Sequence, residues 1–475
     1  MDLVINTSGI DHFLSLPPDQ MFWSFLGNGG WIIIALAFLV GIRDLWLFSR
    51  RKKWSKNHKS ILLAIDIPRG NEQSPKAVEN MFTYLGGAHG TQNFFEKWIE
   101  GQYQKNFSYE IVSIEGYTQF LIWLPAEFRN LIETSVYSQY PDAEISEVDD
   151  YTQNVPQKWP DEEYEIYGSE FIQVSSKFFP IKSYLEFEHQ MGPSETQFKD
   201  PMASLMDLCG SLGPGEQFWI QLIVVPMGFD WVKEAEKEAN KILGRKAKAK
   251  TGLFAWGLEA LGEASEVVYP IWQDIDPTKK KEEKPKTMMD LSPKEKNQIE
   301  GLQLKASKLG FEAKIRVVYI AKKEVMNNRK VFNGFVGYIK QFAALDLNSF
   351  KPDLDVTATR AQYFMKKPRT LEKKRRIFRN YVNRSDTGGR KVGLFNIEEL
   401  ATLWHFPVEA NVKAAMVQRA PGRKADAPSA LPLAPEKKET VDDMFNLEGR
   451  FYNQPAGEYK LDNADAPPPP NLPTI

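Results

Sequence analysis

The sequence is poor in the residues that build most known reaction centres. Among 475 residues there is one cysteine, Cys209, and there are five histidines. A single cysteine excludes an internal disulfide, and its place in an apolar stretch, residues 205–212, predicts a buried thiol in a reducing compartment. His12, His58, His89, His189 and His405 show no i, i+4 pairing and no partner cysteines, so no zinc-type ligand set is predicted. The sequence also lacks a GxxxxGK[ST] phosphate loop and the Rossmann, kinase and GxSxG signatures. Residues 383–391 (NRSDTGGRK) superficially resemble a phosphate loop, but Val392 follows the lysine and the glycines are misplaced. The acidic run 142–170 has none of the spacing of a calcium loop and predicts a solvated connector. No cofactor, metal or catalytic residue is therefore assigned. With 60 basic against 62 acidic residues the chain is also no polycation, so any binding to nucleic acid requires a local patch.

Charge is missing in one further place. Residues 21–42 carry none, and 31–42 (WIIIALAFLVGI) are almost continuously apolar. The first 42 residues hold three aspartates and no lysine or arginine, whereas Arg50, Arg51, Lys52, Lys53, Lys56 and Lys59 follow closely. This asymmetry predicts a signal-anchor transmembrane helix over residues 30–49. The expected location is the inner or plasma membrane, single-pass, with residues 1–29 outside and the body cytoplasmic.

The body reads as α+β. Residues 60–68 (SILLAIDIP) form a buried strand, and 75–85 (PKAVENMFTYL) place Val78, Met81, Phe82 and Leu85 at helical spacing behind a first-turn proline. Residues 107–114 and 117–124 make a hairpin across Glu115 and Gly116, 128–140 return to helical period, and 143–148 alternate as a strand. This β-α-β-β-α-β order predicts a ferredoxin-like domain over 60–150. A less regular second unit of the same kind, with a helical insertion, is expected over 165–360. Its strands include 170–175 with 178–185, 218–225 (FWIQLIVV) and 311–321 (FEAKIRVVYIA). Residues 277–286 read as a charged linker, and 361–410 as a basic segment followed by a short amphipathic helix, 395–406 (FNIEELATLWHF). Composition turns to proline, alanine and charge over 420–475, a tail expected to be disordered, with an apolar-acidic island at 441–452.

The basic segment is the strongest candidate surface. Lys373, Lys374, Arg375, Arg376 and Arg379, together with Lys366, Lys367 and Arg369, alternate with Phe364, Phe378 and Tyr381. Three readings stay open: cations on phosphates with rings stacking on bases, cations on anionic lipid headgroups, or a solvated helix face.

Four segments taken together resemble a known group of proteins: ILLAIDIPRGNEQSPKAVENMFTYLGG, YEIVSIEGYTQFLIWLPAEFRNLIETSVYSQYPDAEI, DPMASLMDLCGSLGPGEQFWIQLIVVP and FNIEELATLWHFP. They resemble an uncharacterised family of single-pass membrane proteins of candidate-phyla (Patescibacteria-type) bacteria. That family is related to the N-terminal region of HerA-like ATPases of the type IV secretion and conjugation kind. The resemblance spans about residues 60–407 and carries no catalytic residue. It implies a membrane-anchored, non-enzymatic platform or adaptor of a type IV secretion-like or DNA-translocation machine. The ATPase would be supplied in trans, and DNA, anionic lipid or further copies of the chain would be its other partners. The alternatives are a divergent metal-dependent hydrolase or nuclease, and an anionic-lipid-binding scaffold.

Overall fold

The structure, a computed structural model, describes residues 15–27, 31–67, 73–187, 200–245, 291–408 and 423–424. The chain divides into two compact units, Met1–Ala425 and Asp426–Ile475. The second unit lies outside the described residues, as do the linker at 277–286, the island at 441–452 and all of the tail except Arg423 and Lys424.

Helix α1 (Pro18–Phe25) precedes α2 (Trp31–Lys56). The body then runs β1 (Ser60–Asp66), α3 (Pro75–Leu85), β2 (Phe107–Ile114), β3 (Tyr117–Pro125), α4 (Arg129–Tyr137), β4 (Glu144–Glu147) and β5 (Tyr164–Gln173). It continues with α5 (Met202–Gly210), β6 (Glu216–Pro226), α6 (Asp230–Ile242), α7 (Pro293–Ala306), β7 (Gly310–Lys322), α8 (Asn328–Lys340) and β8 (Phe350–Pro352). Last come α9 (Lys366–Val382), β9 (Gly393–Asn396), α10 (Ile397–Leu403) and β10 (Arg423–Lys424).

Among the described residues all the strands join one antiparallel ten-stranded sheet, ordered β10-β4-β1-β3-β2-β6-β7-β5-β8, with β9 also paired to β7. From the outside inward, the halves run β4-β1-β3-β2 and β8-β5-β7-β6, and they meet where β2 pairs with β6 from Phe107↔Val224 to Ile114↔Gln217. The expected fold, two ferredoxin-like units behind a transmembrane helix, is corrected on this point: the sheet is continuous and the units do not stand apart. An unjoined β2 and β6 would each present a row of unpaired N–H and C=O groups, and pairing them removes both edges.

Side chains alternate along a strand, and the central strands are buried on both faces. On the first face Leu63, Ile65, Ile111, Phe120, Ile122, Phe218, Leu222, Ile315 and Val317 belong to a core that spans both halves. Helix α3 adds Val78, Met81 and Phe82, α5 adds Leu205 and Met206, and α8 adds Phe335 and Ile339. Each such side chain contributes about 1.5–3 kcal/mol on burial. Helix α10 is not amphipathic as expected: Ile397, Leu400, Ala401 and Leu403 are all buried, and Asn396 and Glu399 close a capping box at its start.

The second face carries a smaller cluster in which Leu62, Val112, Leu121, Trp219, Val318 and Ile320 meet Ile377, Phe378 and Tyr381 of α9. Close approach of α9 depends on Gly168 in β5. A Cβ there would lie 2.8 Å from the Val317 carbonyl oxygen and 3.3 Å from the Ile377 side chain. Residues 178–185, expected in a strand, instead form turns and a short 3-10 helix, Tyr184–Phe187, while the strand itself occupies Tyr164–Gln173.

The N-terminal expectation is overturned as well. Among the described residues no helix is long and apolar enough to cross a membrane. In α2 the uncharged stretch 31–42 rises only about 18 Å at 1.5 Å per residue, against a hydrocarbon core of about 30 Å. The exposed Arg43–Asp44 ion pair, 2.8 Å, ends it. The helix then runs into Arg50–Lys53, and Arg50 Nε donates to the Ile99 carbonyl oxygen at 2.5 Å. The transmembrane span, the signal anchor and the single-pass membrane location are therefore corrected.

Candidate nucleic-acid interface

The sequence offered five cations of α9 as contact residues, and the structure separates them. Lys373 is buried and donates to the carbonyl oxygens of Asp355 (2.7 Å) and Arg360 (2.9 Å), and burial followed by the charges of Arg369 and Arg376 lowers its pKa. Lys374 pairs with Glu165 at 2.7 Å, and Arg376 Nη2 donates to the Val356 carbonyl oxygen at 2.8 Å. Lys373 and Arg376 hold the connection that precedes α9, Lys374 ties the helix to β5, and all three are structural. Phe378 and Tyr381, two of the three rings read as stacking candidates, are buried on the sheet.

Arg375 and Arg379 remain exposed. They stand together at a cleft of about 460 Å³ between α9 and residues 157–159. Arg375 Nε donates to the Trp159 carbonyl oxygen at 2.7 Å, which fixes its stem, while the Arg379 guanidinium has no ion-pair or hydrogen-bond partner among the described residues. Lys158, also exposed, joins them; Trp159, Phe378 and Val382 supply apolar wall, and Gln157 and Asn383 complete the lining. Three cations and no carboxylate line this cleft, a charge imbalance that an anion relieves. The Trp159 ring, only 2% exposed, meets Phe378 edge-on with centroids 5.8 Å apart, and its Nε1 has no hydrogen-bond partner among the described residues.

Sequence reasoning missed Lys158 and Trp159, because they sit inside an acidic run taken as connector. The adjoining cation, tryptophan and proline (Lys158, Trp159, Pro160) were the available signal.

Beneath the C-terminal end of α9 lies a buried polar network. Glu110 of β2 accepts hydrogen bonds from Ser108 (2.7 Å), Gln221 (3.0 Å), Tyr151 (2.8 Å) and Arg384 Nε (3.1 Å). Burial alone would lower the pKa of Arg384, but Glu110 and Asp150, the latter in a short contact with Arg384, outweigh it and hold the guanidinium above its ordinary value. Asp150 responds in kind: burial pushes it up, yet the bonds from Arg384 and Thr152 carry it below the usual carboxylate range. Tyr151 and Tyr381, whose hydroxyls lie 2.8 Å apart, are raised by burial and then by Glu110.

The phosphate-loop lookalike 383–391 closes the other end of this network around the protein's own anion. Glu170 of β5 takes Arg316 Nη2 at 2.8 Å and the Arg390 backbone N–H at 2.7 Å. Arg316 and Lys314 in turn donate to the Gly388 carbonyl oxygen at 3.2 and 2.7 Å. Gly389, at φ +91°, passes so close that a Cβ would sit 2.3 Å from the Glu170 carboxylate. An internal carboxylate occupies the concavity where a nucleotide phosphate would have to lie.

Elsewhere the buried carboxylates are likewise committed. Glu399 pairs with Lys305 at 3.0 Å, and Asp200 accepts from His405 Nε2 at 2.9 Å and from the Met202 and Val408 backbone N–H groups. Among the described residues no group of three or more histidine, cysteine or acidic side chains is placed to hold a metal ion. Burial pushes the Cys209 thiol up to about 12, so it is no nucleophile near neutral pH.

The class these observations define is an α+β protein on one large antiparallel sheet, with helices over one face and a cation-lined helix over part of the other. Residues 57–410 match the family described as "Domain of unknown function (DUF8128)", and the chain belongs to that family. No curated protein and no solved structure matches the chain.

Proposed function

We propose that the protein is a non-enzymatic adaptor of a type IV secretion-like or DNA-translocation machine, working with a conjugation-type ATPase supplied by another chain. In this reading the cleft holds phosphates of single-stranded DNA. One observation carries it: Lys158, Arg375 and Arg379 converge on an open cleft with an aromatic wall and no acidic neighbour in the lining. Cations supply sequence-independent attraction to the phosphate backbone. The resemblance of the four quoted segments supplies the machine; the cleft supplies the ligand chemistry.

The test is fluorescence anisotropy of a labelled oligothymidylate with the full chain, in parallel with flotation on vesicles of phosphatidylcholine and phosphatidylserine. Saturable, salt-sensitive binding to the oligonucleotide, weakened by Lys158→Gln with Arg379→Gln, is the expected result. Binding to the vesicles alone, or cleavage of the oligonucleotide by the purified chain in magnesium, would overturn the reading.

A further inference from the structure

Among the described residues, the most exposed rings outside the N-terminal helices lie at the other end of α9. Tyr363, Phe364 and Met365 are 84%, 77% and 57% exposed, and they form the loop tip just before the helix begins at Lys366. Two of the three have left-handed backbone, with φ +66° at Tyr363 and +48° at Met365. Bulky L-residues rarely take this conformation, and structure that holds them there concentrates at functional positions. Arg369 Nη1 braces the tip by donating to the carbonyl oxygens of Gln362 (3.2 Å) and Phe364 (3.3 Å). Nothing in the core uses these side chains, so the bracing and the unusual backbone serve to present the rings outward.

The chemistry around the tip indicates what they are presented to. From Thr357 to Leu371 there is no acidic residue, whereas Arg360, Lys366, Lys367 and Arg369 are all there. An apolar protein groove does not call for four cations; a polyanion carrying flat rings does. We infer that Tyr363 and Phe364 form a stacking platform for unpaired bases of a single strand whose phosphates reach the cleft, an inference that rests on the nucleic-acid reading above. Arg375 and Arg379 lie nine and thirteen residues beyond Lys366 on the same helix, or about 14–20 Å at 1.5 Å per residue. That distance is within the reach of a strand of about 4–16 nucleotides, the range that such surfaces engage.

The experiment compares an oligothymidylate with an abasic strand of equal length and phosphate count, on the full chain. Wild type should prefer the base-bearing strand. Tyr363→Ala with Phe364→Ala should weaken binding to that strand by about tenfold, leave its salt dependence unchanged and leave binding to the abasic strand unchanged. Phe364→Trp, which keeps a ring, should retain wild-type affinity and guards against misfolding of the double variant. Equal affinity of wild type and double variant for the base-bearing strand would overturn the platform while leaving the cleft intact, as would equal losses on both strands. Failure of wild type to bind either strand would overturn the nucleic-acid reading itself.

Discussion

Glu110 and Arg384 are 274 residues apart in sequence and touch in the interior, with Arg384 Nε 3.1 Å from Glu110 Oε1. The contact ties the loop after α9 to the central strand β2. It does so on the face where the sheet turns from apolar to polar, alongside Gln221 of β6, Arg316 of β7 and Glu170 of β5.

Breaking that pair from one side should cost far more than removing it whole. Arg384→Met leaves a buried, uncompensated Glu110 carboxylate and should destabilise the fold by about 3–5 kcal/mol. Adding Glu110→Gln to that variant should recover a measurable part of the loss. Urea unfolding of the two single variants and the double variant measures this, and strict additivity would contradict it.

Little of this network was legible beforehand, for a physical reason. Hydrophobic period revealed β1, α3 and the β2–β3 hairpin, whose Glu115 and Gly116 both have positive φ. The basic segment was legible only as a run of cations, with a solvated helix face as one of its open readings; the helix Lys366–Val382 and which of its cations turn inward came from the structure. Lys373 and Arg376 are claimed by carbonyl oxygens of residues 355, 356 and 360, and Arg375 by that of Trp159, 216 residues away. The β2–β6 join was hidden for a related reason: a strand buried on both faces says that it is central, not which strand lies beside it. Lys158 and Trp159 have no periodic signature at all, and only the packing of the connector against α9 makes them a site.

Gly389 gives a local test of the loop around Glu170. Gly389→Ala puts a side chain at φ +91° and against the carboxylate, and should cost at least about 1–2 kcal/mol. Gly337→Ala, on the exposed side of α8 with nothing within 4 Å of the new Cβ, should instead stabilise by about 0.5–1 kcal/mol. Paired thermal melts compare the two, and equal shifts would contradict the account.

The same loop should ignore nucleotide. Since Glu170 fills its concavity, calorimetric titration of the full chain with Mg·ATP should show no saturable heat. Saturable binding abolished by Arg390→Ala would contradict this.

Two pH windows follow from the buried charges. Asp200 is held below its ordinary pKa because His405 and two backbone N–H groups outweigh the effect of burial. Its stabilisation is present above the unfolded carboxylate value of about 3.9 and is lost as pH falls through the folded value. Asp200→Asn should therefore flatten the acid limb of the stability curve. Lys314 is pushed down to about 8, chiefly by burial. From there to its unfolded value of about 10.4 the unfolded chain binds more protons, so this group makes stability rise with pH. Lys314→Met should lack that component, as seen by denaturation at a series of pH values from 7 to 10; an unchanged profile would contradict the assignment.

The most direct test of the adaptor reading is the salt dependence of oligothymidylate binding. Contact of Lys158, Arg375 and Arg379 with three phosphates predicts a slope of log K against log salt of about −2 from the cleft, at about −0.7 per phosphate on a single strand. Lys158→Gln with Arg379→Gln removes two of those contacts without disturbing an internal bond and should make the slope shallower by about 1.4. A slope unchanged in the double variant, or wild-type binding that does not respond to salt, would contradict the account.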